Sequence, residues 1–328
     1  MRLPRVHLYA VLIPIAFVAA VFVSLAHFLQ KPNPPPAFGV TFSSVYAREL
    51  GLNEHDLFDA LTDDLHVHAM RIPVYWSEIE KTPGTFSWDD VDWLVHEAET
   101  KHVAVTLAVG SKVPRWPECF IPDWANAETA TLRHDAALDM VKQTIERYRA
   151  STAVIRWQIE NEAFFPFGVC PKPDAKSFAE EVSLVKRLDS RPIQLTVSGE
   201  IEPWVDAAVP ADVLGISLYR VTWNNFYGYF SYPIPPLFYR LRAASVKPFV
   251  DQLIISELQA EPWFPEPIDH RTPEEWYQTF PAEQLKKNVA FAEQTGIHEV
   301  YLWGAEWWYY LKAHGDDRLW LAAKDILK

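Results

Sequence analysis

A chain of 328 residues, 49% hydrophobic and 14% aromatic, can bury the core of one barrel-sized domain, and these proportions exclude a disordered polymer. The formal net charge of -13 excludes a nucleic-acid partner, since the early basic residues Arg2, Arg5 and Lys31 stand ahead of the folded part. Two cysteines without Cys/His or CxxC spacing give neither a disulfide framework nor a metal site, so no cofactor and no metal are expected.

Residues 1–5 read as a short cytoplasmic N-terminus, and residues 6–29 as one transmembrane signal-anchor, an apolar run broken only by His7, Ser24 and His27. Arg2 and Arg5 keep that flank inside and place the rest of the chain in an extracytoplasmic space. Ser24-Leu25-Ala26 offers the alternative of signal-peptide cleavage and secretion, although the apolar run exceeds the roughly 7–15 residues of a signal-peptide core. Residues 30–36 are a Pro-rich linker, stiff and extended, and residues 37–328 form the folded domain.

From residue 37 onward, strand-like apolar runs alternate with helical patterns, which predicts a parallel sheet with crossover helices. The first strand is 38–42. Asn53 caps a helix running through Leu57, Leu61 and Leu65, and the second strand is 67–74. A helix over 89–101 leads to the third strand, 103–109, apolar throughout as in strands buried on both faces. A long helix over 128–149 delivers a fourth strand from Val154, and a helix over 174–188 precedes the fifth, 193–197. The sixth strand is 213–218, followed by a helix over 236–246 and the seventh strand, 253–258. A single helix over 273–295, closed by Gly296, leads to the eighth strand, 299–303. Eight such units define an α/β fold of the (β/α)8 TIM-barrel type. A doubly wound open sheet is the other arrangement, but no glycine-rich phosphate loop accompanies it.

In such a barrel the chemistry sits at the C-terminal ends of the strands. There the sequence places Arg71, Tyr75 and Trp76 after the second strand, Lys112, Arg115 and Trp116 after the third, and Asn161 and Glu162 after the fourth. Glu200 and Glu202 follow the fifth, Tyr219 and Trp223 the sixth, Glu257 ends the seventh, and Trp303, Glu306 and Trp307 follow the eighth. Aromatic planes among charged hydrogen-bonding groups suit sugars, whose ring faces stack while their hydroxyls bond directionally. A pair of carboxyl groups across such a site is the equipment of glycoside hydrolysis.

Asn161-Glu162 and Glu257, with the stretch from Arg71 to Glu80, Pro83-Gly84, Phe86, Trp88 and Asp92, resemble the clan-A retaining glycoside hydrolases, in particular families 5, 39 and 42. The resemblance spans the whole barrel. It implies that Glu162 is the acid/base and Glu257 the nucleophile, that Asn161 binds the sugar 2-hydroxyl, that Arg71 pairs with Glu257, that Tyr219 lies beside it, and that Trp303 floors the sugar site. The sixth strand runs Ser217-Leu218-Tyr219 and lacks the histidine that some of these families carry there. The expected activity is hydrolysis of β-glycosidic bonds in a neutral oligo- or polysaccharide by double displacement. A transglycosylase using the same residues, or a non-catalytic carbohydrate-binding barrel, stands as the alternative.

Several of these residues have plainer readings. Glu160 shares a strand face with Glu162 by period-two spacing, but the strand breaks there and Glu162 is the better acid. Trp116, Trp223 and Trp307 are either sugar platforms or loop packing. Cys119 and Cys170, in the loops after the third and fourth strands, form a possible disulfide if the domain faces an oxidising compartment, and are two thiols otherwise.

Overall fold

The computed structural model describes residues 34–328. Its strands are β1 (Ala37–Thr41), β2 (Ala69–Pro73), β3 (Ala104–Val109), β4 (Val154–Ile159), β5 (Ile193–Ser198), β6 (Val213–Leu218), β7 (Val221–Asn224), β8 (Gly228–Ser231), β9 (Gln252–Gln259) and β10 (Glu299–Trp303). Eight of them, β1 to β6 with β9 and β10, pair in parallel and close into a barrel, while β7 and β8 form a separate antiparallel hairpin after β6. The (β/α)8 reading of the sequence therefore describes the domain. The anchor expected over 6–29 lies outside the described residues, and among those described no helix is long and apolar enough to cross a membrane.

Local chemistry sets the helix starts. Asn53 accepts from the backbone N–H of His55 and Asp56, Thr129 from Leu132 and Asp174 from Ser177, each satisfying donors that a helix start leaves free. Thr272 and Glu275 close a capping box on the helix Pro273–Thr279. The helix expected over 273–295 is two helices, Pro273–Thr279 and Ala282–Thr295, because Pro281 follows Phe280 and keeps it out of the helical region, at φ -147° and ψ 75°. Gly296, at φ +79°, ends the second one. Two further helices, Ala305–Ala313 and Arg318–Ile326, follow β10. The core lies between strands and helices, where Leu57, Leu94, Met140, Val185 and Leu285 are buried.

Two strand details aim the site residues. Along β9 the pairing with β6 slips between Ile216–Ile255 and Ser217–Glu257, so Ser256 is one residue too many for its partner strand. Such a bulge re-aims the side chain beside it, here Glu257. Gly215 makes room for it, since a Cβ there would stand 2.8 Å from Ser256 Oγ.

Candidate active site

Arg71, on β2 and fully buried, organises the floor of the cleft. Its Nε donates to Gln158 Oε1 at 2.6 Å, Nη1 to Glu257 Oε1 at 2.7 Å and Nη2 to Asn161 Oδ1 at 2.6 Å. One planar guanidinium thus fixes groups on β4, β9 and the loop after β4, a task its fork geometry suits. Gln158 is held in turn by Gln194 of β5, whose Nε2 donates to the same Oε1 at 2.8 Å. Tyr219 completes the hold on Glu257 by donating its hydroxyl to Oε2 at 3.1 Å.

Glu162 has other surroundings. Ser217 Oγ donates to its Oε1 at 2.7 Å, and Thr196 Oγ1 accepts from its backbone N–H at 2.9 Å. Burial, and then the negative charge of Glu257, push the Glu162 carboxyl well above the usual carboxylate range. Two carboxyls in one cleft, one paired with a guanidinium and one kept from ionising, make the division of labour that acid-assisted displacement needs.

The loop carrying Glu162 is strained. Glu160 and Glu162 have φ of +55° and +44°, a region that non-glycine residues occupy at a cost of order 1–3 kcal/mol each. Glu160 is what holds it. Its carboxylate accepts the backbone N–H groups of Ser111 at 2.8 Å and Lys112 at 2.5 Å, tying the turn after β4 to the turn after β3. Gly110, at φ +141°, has to be glycine, since a Cβ would lie 2.6 Å from the Glu160 carboxyl carbon. Lys112 reaches back with Nζ to the carbonyls of Glu162 at 2.9 Å and Phe165 at 2.8 Å. Glu160, the second acid of the motif, is a structural clamp.

The remaining expected residues divide. Trp303 lies at the end of β10 with the Arg115 guanidinium 4.2 Å from its ring centroid, and Arg115 also covers Tyr46 at 4.1 Å. Arg115 is held by short contacts to Glu261 and Glu306, so Glu306 is a buried partner of Arg115. Trp116 is 62% exposed and packs edge-on against Phe167, whereas Trp307 is fully buried and packs against Phe264 and Tyr310. Trp223 lies in β7 and meets Tyr229 across the hairpin. Cys119 and Cys170 are joined by a disulfide, their Cα atoms 5.3 Å apart. No cluster able to hold a metal ion occurs among the described residues.

Three participants were not legible. Ser217 and Glu261 carry no sequence signal that marks them as site residues. Glu118, in the loop after β3, accepts a hydrogen bond from Asn161 Nδ2 at 3.1 Å, and its only sequence signal was an acid wedged between Pro117 and Cys119. A separate cavity of about 460 Å³ lies under the loop after β4, lined by Glu160, Phe164, Phe178 and Glu181, with neither Glu162 nor Glu257 in its wall.

The class this defines is a closed parallel barrel with two buried glutamates, Glu257 in β9 and Glu162 just after β4, and one arginine that bonds Glu257 and the Asn161 beside Glu162. Solved structures share the barrel. The chain is similar to a beta-galactosidase from Bacillus circulans sp. alkalophilus, at 11% identity and a TM-score of 0.60 over 91% of this chain and 56% of that one. It is similar to a GH5_18 variant from Bifidobacterium longum subsp. longum in complex with Manb1-4GlcNAc, at 13% identity and a TM-score of 0.58 over 82% and 68% of the two chains. A glycosylated GH10 endo-beta-1,4-xylanase from Gloeophyllum trabeum matches at 12% identity and a TM-score of 0.52 over 84% and 86%. The chain thus spans just over half of the galactosidase's length, and the fold is that of the clan-A glycoside hydrolases. No family model and no curated protein matches.

Proposed function

We propose that this chain is a retaining β-glycosidase in which Glu162 is the acid/base and Glu257 the nucleophile. The observation that carries the reading is the contrast between the two carboxyls. Glu257 is oriented through both oxygens, by Arg71 at 2.7 Å and Tyr219 at 3.1 Å, while Glu162 sits buried on a strained turn with its pKa raised. In the first step Glu162 gives its proton to the glycosidic oxygen as a Glu257 oxygen bonds to the anomeric carbon, and the leaving sugar departs with that proton. In the second, ionised Glu162 takes a proton from water, whose oxygen bonds to the anomeric carbon as the bond to Glu257 breaks. Asn161 adjoins Glu162, and in this reading its amide meets the substituent on the carbon next to the anomeric centre. The barrel stands outside the cytoplasm, tethered by residues 6–29 through the linker 30–36.

A panel of aryl β-glycosides tests the activity. On any substrate found, Glu162→Gln and Glu257→Gln each lower turnover by several orders of magnitude while leaving the thermal transition in place. Azide restores Glu257→Gly with an inverted glycosyl azide and restores Glu162→Gly on an activated substrate with retention. Full activity in both Gln variants would overturn the assignment.

A further inference from the structure

Glu118 is a third carboxyl in the same cleft, and the two-carboxyl reaction has no use for it. It is 5% exposed, at φ +73°, with Oε2 taking the Asn161 amide. Its other oxygen has no hydrogen-bond partner among the described residues. The two cations whose charge reaches it are committed elsewhere, Arg71 to Glu257, Asn161 and Gln158, and Lys112 through Nζ to two backbone carbonyls. Asn161 has no other side to offer a ligand, since Arg71, Gln158 and Thr196 all donate to its Oδ1. The open face of the amide is therefore the one Glu118 shares.

A neutral sugar leaves this carboxyl buried without a counter-charge. Burial, and then Glu257, raise it to about 8, and a ligand cation beside it would oppose that rise. We propose that the sugar in the central site carries a free amine on the carbon next to the anomeric centre, and that Glu118 receives it as an ammonium. The substrate class is then a 2-amino-2-deoxy-β-glycoside and not the neutral sugar expected from sequence. The proposal rests on the glycosidase reading, which brings that carbon to Asn161. An ammonium there opposes the positive charge that develops on the ring in an oxocarbenium-like transition state, and a carboxylate at Glu118 offsets it. The net charge of -13 also favours a polycationic substrate over a polyanionic one.

The full-length chain in detergent is assayed at pH 7 on matched 4-nitrophenyl β-glycosides bearing hydroxyl, acetamido or free amino groups at position 2, in the gluco and galacto series. The expected result is a kcat/KM at least about tenfold higher for the amino compound than for either counterpart. Glu118→Gln is expected to lower the amino-to-hydroxyl ratio roughly a hundredfold, by removing one partner of a buried charge pair. Should that variant not fold, inhibition of the unaltered enzyme decides: glucosamine or galactosamine inhibits at about a tenth of the concentration of glucose or galactose. Hydrolysis that favours the hydroxyl or acetamido compound, with a ratio indifferent to Glu118, overturns the amine proposal and leaves the glycosidase standing. No hydrolysis of any member overturns both.

Discussion

One hydrogen bond from Ser217 separates Glu162 from an environment that otherwise favours only its protonated form. That bond, 2.7 Å to Oε1, pulls the carboxyl down against burial and the charge of Glu257. Ser217→Ala should therefore raise Glu162 further. As the acid of the first step Glu162 works protonated, so the alkaline limb of kcat/KM is expected to move to higher pH, by up to about one unit for a bond to a charged group. Glu118 also titrates on that side, at about 8, but Ser217 does not bond it, so the shift distinguishes the two. An alkaline limb that stays in place in a pH–rate profile of Ser217→Ala would remove Glu162 from the acid role. Glu162 and Glu257 stand out in the sequence as polar residues closing an apolar run, whereas Arg71, in the middle of β2, is singled out by the resemblance. The break of the strand sets Glu160 apart from Glu162, but its clamping role and that of Glu306 are not visible in the sequence, since the groups that occupy them, the N–H groups of Ser111 and Lys112 and the guanidinium of Arg115, lie 48 to 191 residues away.

At the scale of elements, the barrel strands were readable because both faces are buried and the whole run is apolar, as in β3 and β6. The β7–β8 hairpin was not, because none of its residues is buried and its strands lean on each other, leaving no burial period in the sequence. The helix Ala305–Ala313 is hidden by its own aromatics: Trp307, at a strand end either a sugar platform or loop packing, packs into the core with Trp308. The contact between the turn after β4 and the helix Ala175–Leu188 makes a prediction. Glu181 lies buried against Glu160, and burial and then the Glu160 charge push it well above the usual range, with His134 Nδ1 3.8 Å away and Lys112 acting on Glu160. A carboxyl raised in the folded state contributes stability that is present below the unfolded pKa of about 4.5 and is lost as pH rises through the folded one. Glu181→Gln does not titrate, so its thermal midpoint should gain on that of the unaltered protein as pH goes from 5 to 8. Each pKa unit of the shift is worth about 1.4 kcal/mol, which for a domain of this size is roughly 2–4 °C. Scanning calorimetry at both pH values checks this, and a difference that shrinks with pH would contradict it.

Over the whole molecule, two distant features argue for the same compartment. The basic flank and apolar run of residues 1–29 would deliver the barrel across a membrane, and the Cys119–Cys170 bridge persists only where thiols are oxidised. The bridge also bears on the site. It joins the loop carrying Trp116 and Glu118 to the loop carrying Glu162, beside the hydrogen bond from Val169 N–H to the Pro117 carbonyl. Closing a separation of 51 residues stabilises the fold by about 2–4 kcal/mol. Reductant is therefore expected to lower the thermal midpoint and, because the loops are no longer clamped, to raise KM along with it. Cys119→Ser should start from the lowered values and be indifferent to reductant. Membrane fractionation with thiol labelling of the non-reduced protein joins the two expectations: the chain stays with the membrane, begins before residue 27, and takes up no label until reduced. Two freely labelled thiols would place the domain in a reducing space and overturn the compartment, while a soluble chain beginning at His27 with the bridge intact would keep the compartment and replace the anchor with a cleaved signal peptide.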